Sequence, residues 1–245
     1  MRWLLVFLTI AGCARAGKEN SIIGGLNDAG VRGDGSIVLE PDAPLIDAPP
    51  QQVTLTQTTS GELALGASFD CHDKPTGFSR SNSYYRVFTL SDYGVATTLH
   101  VIQVDFGVDT ATAGTGGMQP ATIHIGTYGG TPGGPTLDLT QVRPITSADV
   151  QIPDDSTRMT VPIAADVAPG ASLIVELALP DGLTDKNQFL IGVNAKGERR
   201  PGYTLSIECD GAAASPQTMQ AVAASINQGE TDIVLSVTGM TDTPN

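Results

Sequence analysis

A hydrophobic alternation of period two, interrupted at intervals by glycine and proline, constrains this chain more than any other feature. Val53, Leu55 and Gln57 fall on one side of an extended segment and Thr54, Thr56 and Thr58 on the other. Successive side chains of a strand point to opposite faces, so the pattern predicts a half-buried strand. It recurs at Ile102, Val104, Phe106 and Val108; at Ile123 and Ile125; at Leu173, Val175, Leu177 and Leu179; at Phe189, Ile191 and Val193; at Tyr203, Leu205, Ile207 and Cys209; and at Ile233, Leu235 and Val237. Residues 114–120 and 129–135, Ala168-Pro169-Gly170 and Pro180-Asp181-Gly182 separate these runs and favour reversals. Met219, Val222, Ala223 and Ile226, after Pro216, keep helical spacing, although an Ala-rich strand also fits them. Short strands, glycine-rich turns and almost no helix predict an all-β fold, a single antiparallel β-sandwich over residues 51–240 with a C-terminal tail at 241–245.

The amino terminus obeys a different logic. Arg2 precedes an apolar run from Trp3 to Ile10, too short for a membrane-crossing helix of roughly 20 residues and of the right length for a secretory signal peptide. The ending Ile10-Ala11-Gly12-Cys13 resembles the lipobox of bacterial lipoproteins, with Ile where Leu is usual. The resemblance implies removal of residues 1–12 and lipidation of Cys13. Membrane contact then runs through the lipid anchor, and several acyl chains make it durable. Ala14 resembles the following residue of Gram-negative lipoproteins sent to the outer membrane, where Asp would signal retention. Residues 14–50 have little apolar periodicity and end in a run rich in Asp, Pro and Ala, which cannot build a core and reads as a disordered, semi-extended tether. The run is similar to spacers of myxobacterial lipoproteins. Arg32-Gly33-Asp34 lies within it and is short enough to arise by chance.

Two cysteines remain for the domain, Cys71 and Cys209. In an oxidising compartment an even pair reads first as a disulfide, worth about 5 kcal/mol in the chain-entropy model for so long a loop. Free thiols or half of a metal site are the alternatives, the latter short of nearby Cys or His partners. The parity of Cys209 with Tyr203, Leu205 and Ile207 predicts that its sulfur points into the core, so that the bridge crosses the sandwich. The formal charge of −13 becomes one unit more negative when Arg2 is removed, which disfavours nucleic acid and anionic lipid as partners.

The stretch Ser83-Tyr84-Tyr85-Arg86-Val87-Phe88-Thr89-Leu90, with residues 101–108 and Gln119-Pro120-Ala121-Thr122-Ile123-His124-Ile125, resembles a jelly-roll-like module of exported bacterial proteins. The resemblance covers about residues 51–240 and implies fold and export, with no settled activity and no catalytic residue.

His72, His100 and His124 share no metal-ligand motif, and neither a His-Glu-x-x-His helix nor a Gly-x-Ser-x-Gly elbow occurs. A triad gathered from distant strands would leave no sequence mark. Two acidic loops, Asp70, Asp73, Ser81 and Asn82, and Asp181, Asp185 and Asn187, carry the oxygen ligands of a structural Ca²⁺. Such loops on an acidic chain are ordinarily solvated turns, and no other cofactor is expected. Arg86 shares parity with Phe88 and Leu90, so it must meet a carboxylate or carbonyls. Glycan sites favour aromatic platforms, and the sole Trp, Trp3, leaves with the signal. Of the five tyrosines, Tyr128, before the 129–135 loop, and Tyr93, in a turn, are the exposed ligand-binding candidates. The expectation is a lipid-anchored, envelope-located, non-catalytic binding or adhesion module for a glycan or envelope protein. A purely structural envelope role and a hydrolase are the alternatives.

Overall fold

The computed structural model describes residues 49–211 and 214–242. Cys13, the signal-like segment, the Arg32-Gly33-Asp34 tripeptide and the tether up to residue 48 lie outside the described residues. Alternation yields strands β1 (Gln51–Thr56), β2 (Asn82–Thr89), β3 (Leu99–Thr112), β4 (Met118–Tyr128), β5 (Val142–Pro153), β6 (Arg158–Val167), β7 (Ser172–Leu179), β8 (Gln188–Ile191), β9 (Val193–Asn194), β10 (Tyr203–Leu205), β11 (Gln217–Thr218), β12 (Asp232–Ile233) and β13 (Leu235–Thr241). Two short α-helices accompany them, α1 (Ile207–Asp210) and α2 (Met219–Ser225), with 3-10 turns at Leu90–Tyr93 and Leu139–Gln141. The last strand thus includes Thr241, the first residue of the expected tail.

Every strand pair is antiparallel. One sheet runs β1-β13-β3-β6, with β8 also on β3; the other runs β11-β10-β2-β7-β4-β5; β9 and β12 form a two-stranded ribbon. Among the eight longest strands the orders are first-eighth-third-sixth and second-seventh-fourth-fifth, the double Greek key of a jelly roll. Leu55, Val104, Phe106, Val161 and Val237 of the first sheet meet Tyr84, Phe88, Ile123, Val175 and Leu177 of the second in the core.

Three features depart from the sequence reading. Ile102 does not share the core face of Val104 and Phe106 but is 42% exposed. The β3–β13 register slips between Thr238 and Gly239, which inserts Ile102 as a bulge; Val101 then points in, and His100 and Ile102 point out. Gly239 permits this, since a Cβ there would stand 2.8 Å from the His100 carbonyl oxygen. Strands β5 and β6 were absent from the alternating set. Both are sheet edges; β6 does alternate, burying Val161, Ile163, Ala165 and Val167, whereas β5 fully buries only Val150 and Ile152, so its first third carries no period.

The third departure concerns Cys209. The bond to Cys71 forms across a separation of 138 residues, with Cα atoms 6.0 Å apart. However, β10 stops at Leu205, and the Asp210 carboxylate accepts from the Ser206 N–H 2.8 Å away as α1 begins. Strand parity ends there, leaving Ile207 53% exposed and Cys209 at the surface. The bridge ties α1 to the loop before β2 at the rim rather than crossing the core.

Arg86 is fully buried between the sheets. Its Nη1 donates to Glu198 Oε2 at 2.5 Å and to the Arg200 carbonyl at 2.8 Å, and its Nη2 to the Ile233 carbonyl. Gln57 Oε1 lies 3.4 Å away, while the Gln57 amide donates to the Val87 carbonyl. The carboxylate and carbonyls expected for Arg86 are all present. Removing one partner of such a pair leaves a buried, uncompensated charge, so Glu198→Ala should cost about 3–5 kcal/mol in chemical denaturation. The double variant Arg86→Met/Glu198→Leu should lose less than the two single changes added together.

Candidate functional site

Core-facing residues fix which side chains reach the outer face of the second sheet. Tyr84, Arg86 and Phe88 point inward on β2, so Tyr85 and Val87 point outward; Glu176 and His124 lie outward on β7 and β4 for the same reason. The registers pair Tyr85 with Glu176, Glu176 with His124, and His124 with Ser147. Four polar side chains therefore form one row across four strands, with direct neighbours about 5 Å apart at Cβ.

Part of this face is covered. After β4, residues 129–141 fold back, and Tyr85, Val87, Tyr128, Leu137, Ile174 and Tyr203 form a second apolar cluster. The uncovered remainder is a groove of about 380 Å³. Its floor holds Tyr85, Glu176, His124 and Gly126, and Leu139, Val142 and Pro144 form an apolar wall. Gly126 is required by a bulge opposite Ile145, because a Cβ there would meet the Arg143 carbonyl oxygen at 2.6 Å. Burial, reinforced by the nearby Glu176 carboxylate, pushes the Tyr85 hydroxyl well above the ordinary tyrosine range. It stays protonated at all physiological pH, a standing donor beside a carboxylate that makes no ion pair among the described residues.

Tyr128 is not an exposed platform. Its ring is 6% exposed, and its hydroxyl accepts from the Asp138 N–H at 3.3 Å. Tyr203 clamps the same loop, donating to the Gly134 carbonyl at 3.0 Å and accepting from the Gly133 N–H at 3.2 Å. The 129–135 loop is held against the sheet by these rings instead of presenting one. A concavity of about 550 Å³ does pass Tyr128 and Gly129, but the Tyr128 ring is committed beneath it. Tyr93 is half-buried, packs on Phe88 with ring centroids 6.2 Å apart, and donates to the Thr56 carbonyl at 2.9 Å.

The oxygen-rich loops spend most of their ligands on the chain itself, although Asn187 Oδ1 is buried with no partner among the described residues. Asp73 accepts from Thr76, Asp181 pairs with Arg80 at 2.6 Å, and Asn82 bonds both backbone groups of Cys71. Among the described residues no group of three His, Cys, Asp or Glu side chains could hold a metal ion. His72 Nδ1 meets Asp70 at 3.0 Å. His100 bridges Asp166 at 2.8 Å and Asp242 at 3.2 Å on the exposed face that the Ile102 bulge turned outward.

Neither Glu176 nor Tyr85 carries a functional motif in the sequence. The parity of Glu176 against Val175 and Leu177 places it outside, but its neighbours depend on strand pairing.

No family model matches this chain, and no curated protein matches it. Among solved structures it is similar to the cysteine protease and lectin-like domains of Cwp84, a surface layer associated protein of Clostridium difficile. The identity is 10% and the TM-score 0.43, over 68% of this chain and 33% of that one. A second similarity is to a variant of the clostridial cysteine protease Cwp84 after propeptide cleavage, with 10% identity and a TM-score of 0.47, over 78% of this chain and 40% of that one. The chain thus spans between a third and two-fifths of the length of these structures.

Bonding to two carboxylates raises the His100 pKa above its ordinary value, Asp166 contributing most. Stability from this bridge is therefore fully present below the unfolded value of about 6.5 and fades as pH rises through the higher folded value. The difference in Tm between the wild type and His100→Gln should be widest near about pH 5.5 and should vanish in alkaline buffer.

Proposed function

We propose that the chain is an exported envelope protein, anchored through Cys13, whose jelly roll is a non-catalytic binding module with its ligand face on the outside of the second sheet. The observation that carries this reading is the row Tyr85–Glu176–His124 on the floor of an apolar-walled groove. Concave sites of a few hundred Å³ that combine apolar walls with a few convergent polar groups are the usual form of a binding site. Glu176 without a counter-ion, on a chain of formal charge −13, favours a neutral or cationic envelope component, a glycan or a protein segment, over an anionic one. The signal-like start and the Cys71–Cys209 bond both fit an oxidising compartment outside the cytoplasm.

The order Ser147, His124, Glu176 across three strands has the residue types of an acyl-transfer relay. No hydrogen bond joins these three side chains, and Ser147 is exposed on the edge strand, which supports binding over catalysis. Glu176→Gln and His124→Ala should each reduce retention on immobilised envelope glycans or envelope extract severalfold, with Tm nearly unchanged because both side chains face solvent. Equal retention would move the ligand elsewhere, and ester hydrolysis abolished by Ser147→Ala would replace the binding reading with an enzymatic one.

The anchor has its own test. Cys13→Ala should shift the protein from the detergent-soluble membrane fraction to the periplasm or medium, and unchanged partitioning would refute lipidation.

A further inference from the structure

A second concavity lies at the disulfide rim and shares no residue with the outer-face groove. The segment before β2 is fixed there twice, by the Cys71–Cys209 bond and by Asn82, whose side chain accepts from the Cys71 N–H at 3.0 Å and donates to its carbonyl at 3.2 Å. Fixing Cys71 places Phe69 beside Ile226, which follows α2 and stays 51% exposed because Met219 and Ala223 take the buried side of that helix. Two clefts, of about 450 and 240 Å³, meet along Phe69, Asp70 and Ile226 and form one trough.

The larger cleft contains two buried polar atoms that the fold does not satisfy. The Ser68 hydroxyl, in a residue only 7% exposed, and Gln228 Oε1 both lack a hydrogen-bond partner among the described residues, and both residues line the cleft. Leaving such groups unpaired costs free energy that a ligand can recover. Beside them Asp70 is spent: its two oxygens take His72 Nδ1 and the Ser79 hydroxyl, which orients the half-exposed His72 ring and leaves its Nε2 for another partner.

We infer that this trough binds a neutral saccharide. Phe69, Leu190 and Ile226 supply an apolar stripe for the C–H face of a sugar ring, and Ser68, Gln188, Gln228 and His72 supply partners for hydroxyls, which both donate and accept. No Lys or Arg lines either cleft, so an anion would find no counter-charge. Both acidic side chains that line the clefts keep their charge but already accept hydrogen bonds, Asp70 from His72 and Ser79 and Asp210 Oδ2 from the Ser206 N–H. An extended peptide would need a free strand edge. The side of β8 away from β3 is already occupied by Ser79, whose N–H donates to the Asn187 carbonyl and whose hydroxyl accepts from the Phe189 N–H. Continuity of the two clefts across Phe69 suits a chain of rings better than a single one.

The test is titration calorimetry of the full-length protein with cellotetraose, chitotetraose and maltotetraose at up to millimolar concentration. At least one should bind, and Gln228→Leu and Ser68→Ala should weaken that binding about tenfold, the scale of one lost hydrogen bond in a closed site. Gln228→Leu removes an unsatisfied atom, so its Tm should equal or exceed that of the wild type, which separates a binding defect from misfolding. His100→Gln, outside both concavities, should leave the affinity unchanged. Binding of none of the three sugars would mean that solvent alone occupies the trough and would overturn the inference, as would equal affinity in Gln228→Leu. Loss of sugar binding in Glu176→Gln but not in Gln228→Leu would also overturn it, placing the sugar in the outer-face groove and leaving the proposed function standing.

Discussion

The buried Arg86 is the constraint around which one end of the sandwich is arranged. A guanidinium between two sheets is tolerated only if its charge is met and most of its donors are used. The chain meets the charge and both terminal nitrogens with groups from three places, Glu198 and the Arg200 carbonyl from the loop after β9, the Ile233 carbonyl from β12, and Gln57 just beyond β1, while Arg86 Nε has no partner among the described residues. Burial raises the Glu198 carboxyl pKa, with the guanidinium opposing that shift. Glu198 also accepts from the Gly202 N–H, at 3.2 Å to Oε2, so the pair orders the approach to β10. Gly202 is part of the same fit, because a Cβ there would lie 3.2 Å from the guanidinium carbon. Segments far apart in sequence are therefore specified by a single side chain on β2.

That strand also determines the outer face. With Tyr84, Arg86 and Phe88 committed inward, Tyr85 and Val87 must leave the sandwich on the other side, and an apolar pair on an exposed sheet needs cover. The 129–141 segment provides it, held by the Tyr128 and Tyr203 hydroxyls at Asp138, Gly133 and Gly134. Cover stops at Leu139 and Pro144, and the groove is the part of the face left open. The candidate site is thus a consequence of how far one loop reaches, and its polar row a consequence of register.

Much of this was legible from alternation, and the failures have local causes. Leu173, Val175 and Leu177 revealed a core face because β7 lies inside its sheet and every second residue must be apolar. The β5 edge has no such demand over Thr146 or Ser147, so only Val150 and Ile152 near its end mark it. Ile102 misled because a bulge is decided by what lies opposite, here Gly239, and an isolated strand carries no record of it. Cys209 misled because the strand it continued had already ended in a capped turn. The pairing of Glu176 with His124 belongs to topology, which the parity of single strands does not encode.

Exposure by elimination failed for the tyrosines for a compositional reason. Aromatic residues make up only 5% of the chain, and a sandwich of this size needs large side chains at both of its apolar interfaces. Tyr84, Phe88, Phe106 and Phe189 fill the space between the sheets, while Tyr85, Tyr128 and Tyr203 fill the smaller cluster beneath the loop. Among the described residues only Phe69, Phe78 and Tyr93 keep partial exposure, and Tyr93 is bonded to the backbone of the residue ending β1. With its rings spent on folding, the surface must make contacts through aliphatic ridges and amide, hydroxyl, carboxylate and imidazole groups. Both concavities are built that way: Leu139, Val142 and Pro144 face Glu176 and His124 in one, and Leu190 and Ile226 face Gln228 and Ser68 in the other. Phe69 also lines a cleft, partly buried against the main core beside the disulfide rim.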